Sequence, residues 1–258
     1  VTIPFYKYQG TGNDFILIDK TSNPSISYSA DPNFIKNLCD RKFGIGADGI
    51  IFLQPHSDYD FEMVYYNPDG SQSLCGNGSR CAVHLASQLG IISDKATFLA
   101  IDGPHQAYIQ DGLIQIDMQD VTGIQVIGHD YFLNTGSPHY VRLVEELEEI
   151  DIIHIAEAIN NSEAFQNSRT NVNFVKLEKN NHISMRTYER GVNNETLSCG
   201  TGAVAAALVA SEKGYTSPIH VRTRGGKLSV SFHKQKNIYN NISLIGPATQ
   251  VFQGQITM

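Results

Sequence analysis

The chain has 258 residues, 41% of them apolar and 17% charged, with nine Pro and 22 Gly scattered along it. That composition suits one large domain or two ordinary ones and excludes a disordered or collagen-like chain. The formal charge is −7 and no basic cluster exceeds two or three residues, which excludes the concentrated Lys and Arg that nucleic-acid phosphates require.

No membrane association is expected either. The longest apolar stretch, around Ala203–Ala210, is far short of the roughly 18 residues of a membrane span. The first ten residues, "VTIPFYKYQG", lack the layout of a signal peptide, so a cytoplasmic location is expected. Cys39, Cys75, Cys81 and Cys199 sit at no zinc-ligand spacing, so no metal site and no disulfide framework is expected.

In chain order, the pattern predicts a short helix over 31–41 and a half-buried strand at "FEMVYYN". A helix follows over 77–89, stopped at Gly90 by a left-handed residue. Arg80, His84 and Gln88 share one side of this helix, and that side is expected to reach a surface. A short helix over 151–161 and a strand at "HISMRTYE" come next. The last helix spans 201–213 and stops at Gly214. Its residues Ala203–Ala210 are all apolar, and a helix apolar all round is buried, here by its own sheet.

One stretch occurs twice. "CGNGSRCAVHLASQLG" (75–90) lies over "CGTGAVAAALVASEKG" (199–214), and "TGNDFIL" (11–17) lies over "TGSPHYV" (135–141) at the same offset. "FLQPHSDYDFEMVYYN" (52–67) matches "FVKLEKNNHISMRTYE" (174–189) to within two residues of that offset. The inference is a duplicated architecture: an α/β fold of α+β type, in two pseudo-symmetric halves. Each half is a mixed or mainly antiparallel sheet around a central helix. The halves are expected at 1–122, joined by a C-terminal strand over 250–258, and at 123–249, meeting near 120–125.

A Cys-Gly-x-Gly turn that opens a helix has a chemical meaning. First-turn N–H groups lack intrahelical partners and carry the positive end of the helix dipole. Glycines let another group approach them. Such a mouth holds an anion and makes a thiolate accessible near neutral pH. A single copy is weak evidence, and a lone buried Cys is ordinarily a small core residue. Two copies at matching positions point to function. Cysteines facing each other across a cleft between the halves would remove a proton from one face of a carbon and deliver one to the other, inverting a stereocentre.

The residues then carry a resemblance. "NPDGSQSLCGNGSRCA" (67–82) and "YERGVNNETLSCGTGA" (188–203) resemble the two active-site signatures of the diaminopimelate epimerases. "GTGNDFILID" (10–19), "DRKFGIGADGI" (40–50), "NTGSPHYV" (134–141) and "TNVNFV" (170–175) resemble that family's other motifs, in order along nearly the whole chain. The resemblance implies a small-molecule substrate, diaminopimelate, interconverted between LL and meso forms in lysine and cell-wall precursor synthesis. It implies no cofactor, neither pyridoxal phosphate nor metal, and leaves a homodimer open. By position it makes Cys75 and Cys199 the two bases. Gly76, Asn77, Gly200 and Thr201 would hold a carboxylate through backbone N–H groups, and Asn13, Asn67 and Asn171 would bind substrate. Glu189 and Arg190 would read substrate charges, with His139 and Glu189 tuning protonation. Cys39 and Cys81 are expected to be buried and not catalytic.

Two positions depart from the pattern. Gly49 stands where some members have Gln, which removes that contact, and Ser137 stands where many have Asn. Other readings are a proline- or hydroxyproline-type racemase, or a non-catalytic binder of an anionic metabolite. The former would not need Asn67, Asn171, Glu189 and Arg190, and the latter would not need the thiols. A phenazine-pathway-type isomerase lacks the cysteine pair.

Overall fold

The structure, a computed structural model, describes residues 2–22 and 31–257. These divide into two compact units, one running to Ile116 and resuming at Gly246, the other Asp117–Ile245.

The first unit contains β1 (Thr2–Gly10), β2 (Asn13–Asp19), α1 (Pro32–Cys39), β3 (Gly49–Gln54), β4 (Phe61–Tyr66), α2 (Gly76–Gln88), β5 (Lys95–Ala100), β6 (Gly103–Gln110) and β7 (Leu113–Asp117). The second contains β8 (Val121–Thr122), β9 (Gln125–Ile127), β10 (Asp130–Asn134), β11 (Pro138–Leu143), α3 (Ile152–Asn160), β12 (Asn171–Leu177), β13 (His182–Glu189), β14 (Asn194–Thr196), α4 (Gly200–Ser211), β15 (Ile219–Thr223), β16 (Gly226–Gln235) and β17 (Ile238–Gly246). The chain then returns to the first unit as β18 (Thr249–Thr257), antiparallel to β1.

The senses of pairing follow one rule in both units. β1–β2, β3–β4, β5–β6 and β6–β7 are antiparallel, while β2–β3 and β4–β5 are parallel. In the second unit β10–β11, β12–β13, β15–β16 and β16–β17 are antiparallel, while β11–β12 and β13–β15 are parallel. A parallel pair cannot be joined by a tight turn and needs a crossover, usually helical. Hence, among the described residues, each unit has two helices, one per parallel step, and the repeated Cys-Gly-x-Gly turn opens the second crossover each time. The α+β class and the duplicated halves expected from the sequence are both present.

Each second crossover lies inside its own sheet. α2 packs on β1, β2, β3, β4 and β18, and α4 on β10, β11, β12, β13, β15 and β16. Ala203–Ala210 are wholly buried, with Met185, Val221 and Leu244 among the side chains of their cluster. Five alanines in that run let strands approach the helix from every side. The glycine stops hold positive φ, +74° at Gly90 and +90° at Gly214, although α4 ends at Ser211 and a short turn intervenes. Asp31 and Asp151 cap α1 and α3 with their carboxylates, on the N–H groups of Asn33 and His154. Among the described residues no helix is long and apolar enough to cross a membrane.

One expectation holds only in part. Arg80 does not reach a surface; it is wholly buried. The start of α2 is covered at Gly10, the end of β1, where a Cβ would stand 3.1 Å from the Asn77 carbonyl and 3.4 Å from the Arg80 guanidinium. Further along, His84 is half-buried and Gln88 is exposed, and the Tyr8 hydroxyl donates to Gln88 at 2.6 Å.

Candidate active site

In the first unit, Cys75 is the N-cap of α2. Its carbonyl accepts the first helical bond from Ser79, and its sulfur accepts from the Gly78 N–H at 3.4 Å. The thiol donates towards Asn13 Oδ1, 3.5 Å away. Asn77 Nδ2 donates to the same oxygen at 3.3 Å, and Asn13 Nδ2 donates to Asp48 at 2.5 Å. Asp48 in turn accepts from Arg41. The orientation of Asn13 follows, because a carboxylate only accepts and so draws the amide nitrogen, turning the oxygen to the sulfur. Gly76 and Asn77 are buried in the first turn. Asn67 lies just past β4, accepting from Tyr65 and donating to Ser71 and Ser73.

In the second unit, Cys199 is the N-cap of α4, and its carbonyl accepts from Ala203. No N–H caps its sulfur; the Thr201 hydroxyl lies 3.6 Å away instead. His139 Nε2 is 2.9 Å from that hydroxyl, and His139 Nδ1 is 3.1 Å from Asn173 Nδ2. Asn173 Nδ2 also donates to the Tyr140 carbonyl, while its Oδ1 accepts from Thr187. The amide is therefore oriented, Nδ1 of His139 accepts, and its proton sits on Nε2. Burial, helped by the Arg190 charge, holds His139 down at about 3 from 6.5, so it is neutral. Its hydrogen-bonded path to the Cys199 sulfur runs through the Thr201 hydroxyl. Thr201 is further held by Thr135, which donates to its carbonyl at 2.9 Å.

Asn171 opens β12, and its Oδ1 accepts from the Arg190 N–H at 3.0 Å. Glu189 ends β13 and accepts from Thr196 at 2.6 Å. The Arg190 side chain is exposed and donates to the Arg169 carbonyl at 3.1 Å. Asn171, Glu189 and Arg190 are thus held close together on neighbouring strand ends. Cys39 and Cys81 are buried, as expected, and burial pushes both thiols up, Cys39 to about 11. Among the described residues no cluster of three or more His, Cys, Asp or Glu is placed to hold a metal ion.

A diaminopimelate epimerase family profile matches residues 5–124 and 131–251. The chain belongs to the diaminopimelate epimerase family. A diaminopimelate epimerase of Flavobacterium psychrophilum is 47% identical over 255 residues, covering 97% of this chain and 99% of that protein. One from Aquifex aeolicus is 37% identical over 276 residues, covering 98% and 97%. Among solved structures, a PhzF-family phenazine biosynthesis protein of Bacillus anthracis superposes with a TM-score of 0.75 at 14% identity over all of both chains. A hydroxyproline epimerase of Agrobacterium vitis superposes with 0.69 at 14% identity, over 99% of this chain and 92% of that one. At such identities the likeness is one of fold.

The structure explains how this diaminopimelate epimerase family member tolerates Gly49. A Cβ there would stand 2.4 Å from the Tyr65 ring and 2.6 Å from the Tyr66 carbonyl, so no side chain fits. Ser137 is half-buried, and its carbonyl closes the turn on the Thr135 N–H. Asp48, Asn173 and Thr187 escaped the sequence reading, and Arg80 entered it only as part of a surface-reaching helix side. Asn173 had a signal, since it lies two residues beyond Asn171 and therefore on the same face of the strand.

Proposed function

We propose that the chain is a diaminopimelate epimerase that interconverts LL- and meso-2,6-diaminopimelate by two-base proton transfer, with Cys75 and Cys199 as the bases. The observation that supports this is the equivalence of the two cysteines, each the N-cap of the crossover helix at the same step of the same strand order.

In one direction a thiolate takes the α-proton, the carbon–hydrogen bond breaks, and its electron pair spreads into the adjoining carboxylate. The other thiol gives its proton to the opposite face of that carbon and becomes the thiolate. The enzyme ends with its proton on the other sulfur, ready for the reverse direction. First-turn N–H groups at Gly76, Asn77, Gly200 and Thr201 hold the reacting carboxylate and the charge that develops on it. The Asn13 oxygen offers an acceptor suited to an ammonium. Asn67, Asn171, Glu189 and Arg190 take the distal amino-acid head, with the Arg190 fork on its carboxylate. His139 and Glu189 set the protonation around Cys199. The substrate places the enzyme in lysine and peptidoglycan-precursor synthesis.

The test is incubation of LL- and meso-diaminopimelate in deuterated water, with α-hydrogen exchange and isomer ratio followed by NMR. Approach to one isomer ratio from both sides is expected. Faster racemisation of proline than epimerisation of diaminopimelate would overturn the reading.

A further inference from the structure

The first unit buries a cation that the reaction scheme leaves unused. Arg80 lies in the second turn of α2 with no solvent exposure, and among the described residues no carboxylate pairs with it. Its donors go to four uncharged oxygens: the Gly76 carbonyl at 3.3 Å, Asn77 Oδ1 at 2.9 Å, Thr11 Oγ1 at 3.2 Å and the Pro247 carbonyl at 3.2 Å. Burial draws its pKa down to about 10, which still leaves it charged at neutral pH. A buried charge without a counter-ion is costly, and folds keep one only where something balances or uses it.

Two of those four oxygens belong to the residues that immediately follow Cys75. Cys81 and Cys75 are the titratable groups whose ionisation would act on Arg80. Cys81 is wholly buried and held strongly in its neutral form by that burial, so it supplies no anion. Tyr8, whose hydroxyl meets His84 and Gln88 of α2 from β1, is likewise held neutral by burial. From the β1–β2 side, the acidic side chains Asp14 and Asp48 are engaged by Lys7 and Arg41 and stand beyond Asn13. Cys75 remains as the group whose anion Arg80 would balance. The matching position of the second unit, 124 residues on, is the wholly buried Val204. There the sulfur has the neutral His139–Thr201 pair instead.

We propose that Arg80 is a positioning residue for proton transfer at Cys75: its guanidinium locks the first turn of α2 and supplies the fixed counter-charge for the sulfur as an anion. The proposal rests on the reading of Cys75 as a base. It also makes the two thiols unequal, one served by a cation and the other by a neutral hydroxyl. Through Asn77, whose oxygen Arg80 claims, the same guanidinium directs the Asn77 nitrogen to Asn13 and so helps hold the Asn13 oxygen beside Cys75.

The experiment is iodoacetamide alkylation of the full chain across pH, with Cys75 and Cys199 read separately by peptide mapping, for wild type, Arg80→Met and Arg80→Lys. In wild type the Cys75 midpoint should lie below the ordinary thiol value of about 8.5. Arg80→Met should raise it by about one pH unit or more, a tenfold loss of reaction rate below the midpoint, and leave Cys199 unmoved. Arg80→Lys should restore most of the shift. A cooperatively folded Arg80→Met with an unmoved Cys75 midpoint, or with equal shifts at both thiols, would overturn the proposal. If Arg80→Met does not fold, a wild-type Cys75 midpoint at or above about 8.5 overturns it. A wild type without α-proton exchange on diaminopimelate would sink the epimerase reading and leave the alkylation result standing.

Discussion

His139 Nε2 donates to Thr201 Oγ1 across 2.9 Å, and the Thr201 hydroxyl lies 3.6 Å from the Cys199 sulfur. The direction of this relay is fixed from behind, by Asn173 on the other ring nitrogen. The hydroxyl accepts from His139, which leaves its own hydrogen available to the sulfur. Thr201→Val should therefore lower kcat about tenfold, roughly 1.4 kcal/mol, and slow Cys199 alkylation, while Thr201→Ser preserves both. Steady-state kinetics with peptide-mapped alkylation checks this. An unchanged Cys199 in Thr201→Val would remove the hydroxyl from the mechanism.

Neutral His139 also carries a pH signature. Burial, with Arg190 adding to it, holds it at about 3 in the folded protein against 6.5 ordinarily. The unfolded chain takes up a proton that the folded chain refuses, so His139 costs no stability above pH 6.5. Stability is lost progressively as the pH falls from there towards 3. Asp14 acts lower. Burial opposes its ionisation, but bonds from Arg41 and Lys7 win and hold it near 2, so its contribution is lost between about 3.8 and 2. Thermal unfolding of wild type and His139→Gln between pH 7 and 4 should show a steeper decline in wild type. Parallel curves would contradict the assigned protonation.

The four cysteines should separate into two classes. Cys75→Ser and Cys199→Ser should each abolish nearly all epimerisation, since a hydroxyl is a far weaker acid than a thiol. Cys39→Ala and Cys81→Ala should keep turnover and lose about 1–2 kcal/mol of stability from their buried positions. Kinetics beside denaturant titration distinguishes the classes. Loss of turnover in folded Cys81→Ala with retention in Cys75→Ser would reverse the assignment.

Equivalent glycines should respond unequally. At Gly202 an added Cβ would stand 2.6 Å from Asn173 Oδ1 and 3.3 Å from the Cys199 sulfur. Asn173 is pinned by Thr187, His139 and Tyr140, so it has no room to yield. At Gly78 the close atom, at 2.9 Å, is Ile51 Cδ1, the end of a flexible side chain. Gly202→Ala should thus cost more turnover than Gly78→Ala, by at least about tenfold. Equal losses in matched assays would mean the Asn173 pin is soft.

The sequence by itself determined the duplication, the two helix openings and the burial of Ala203–Ala210. Each rests on local chemistry: the glycines that open and stop a helix, and an apolar run with no face left for water. The two Cys-Gly-x-Gly openings were legible for the same reason, because each cysteine caps the first turn built by the residues right after it. Arg80 was misread because an Arg80–His84–Gln88 row has the period of a solvent-facing stripe. Only the crossing of β1, at a residue without a side chain, turns the start of that stripe inward. Tertiary structure likewise decided the protonation of His139 and the orientation of Asn13. A hydrogen-bonding side chain takes its direction from partners such as Asn173 and Asp48, distant in the chain, that the strand order brings beside it.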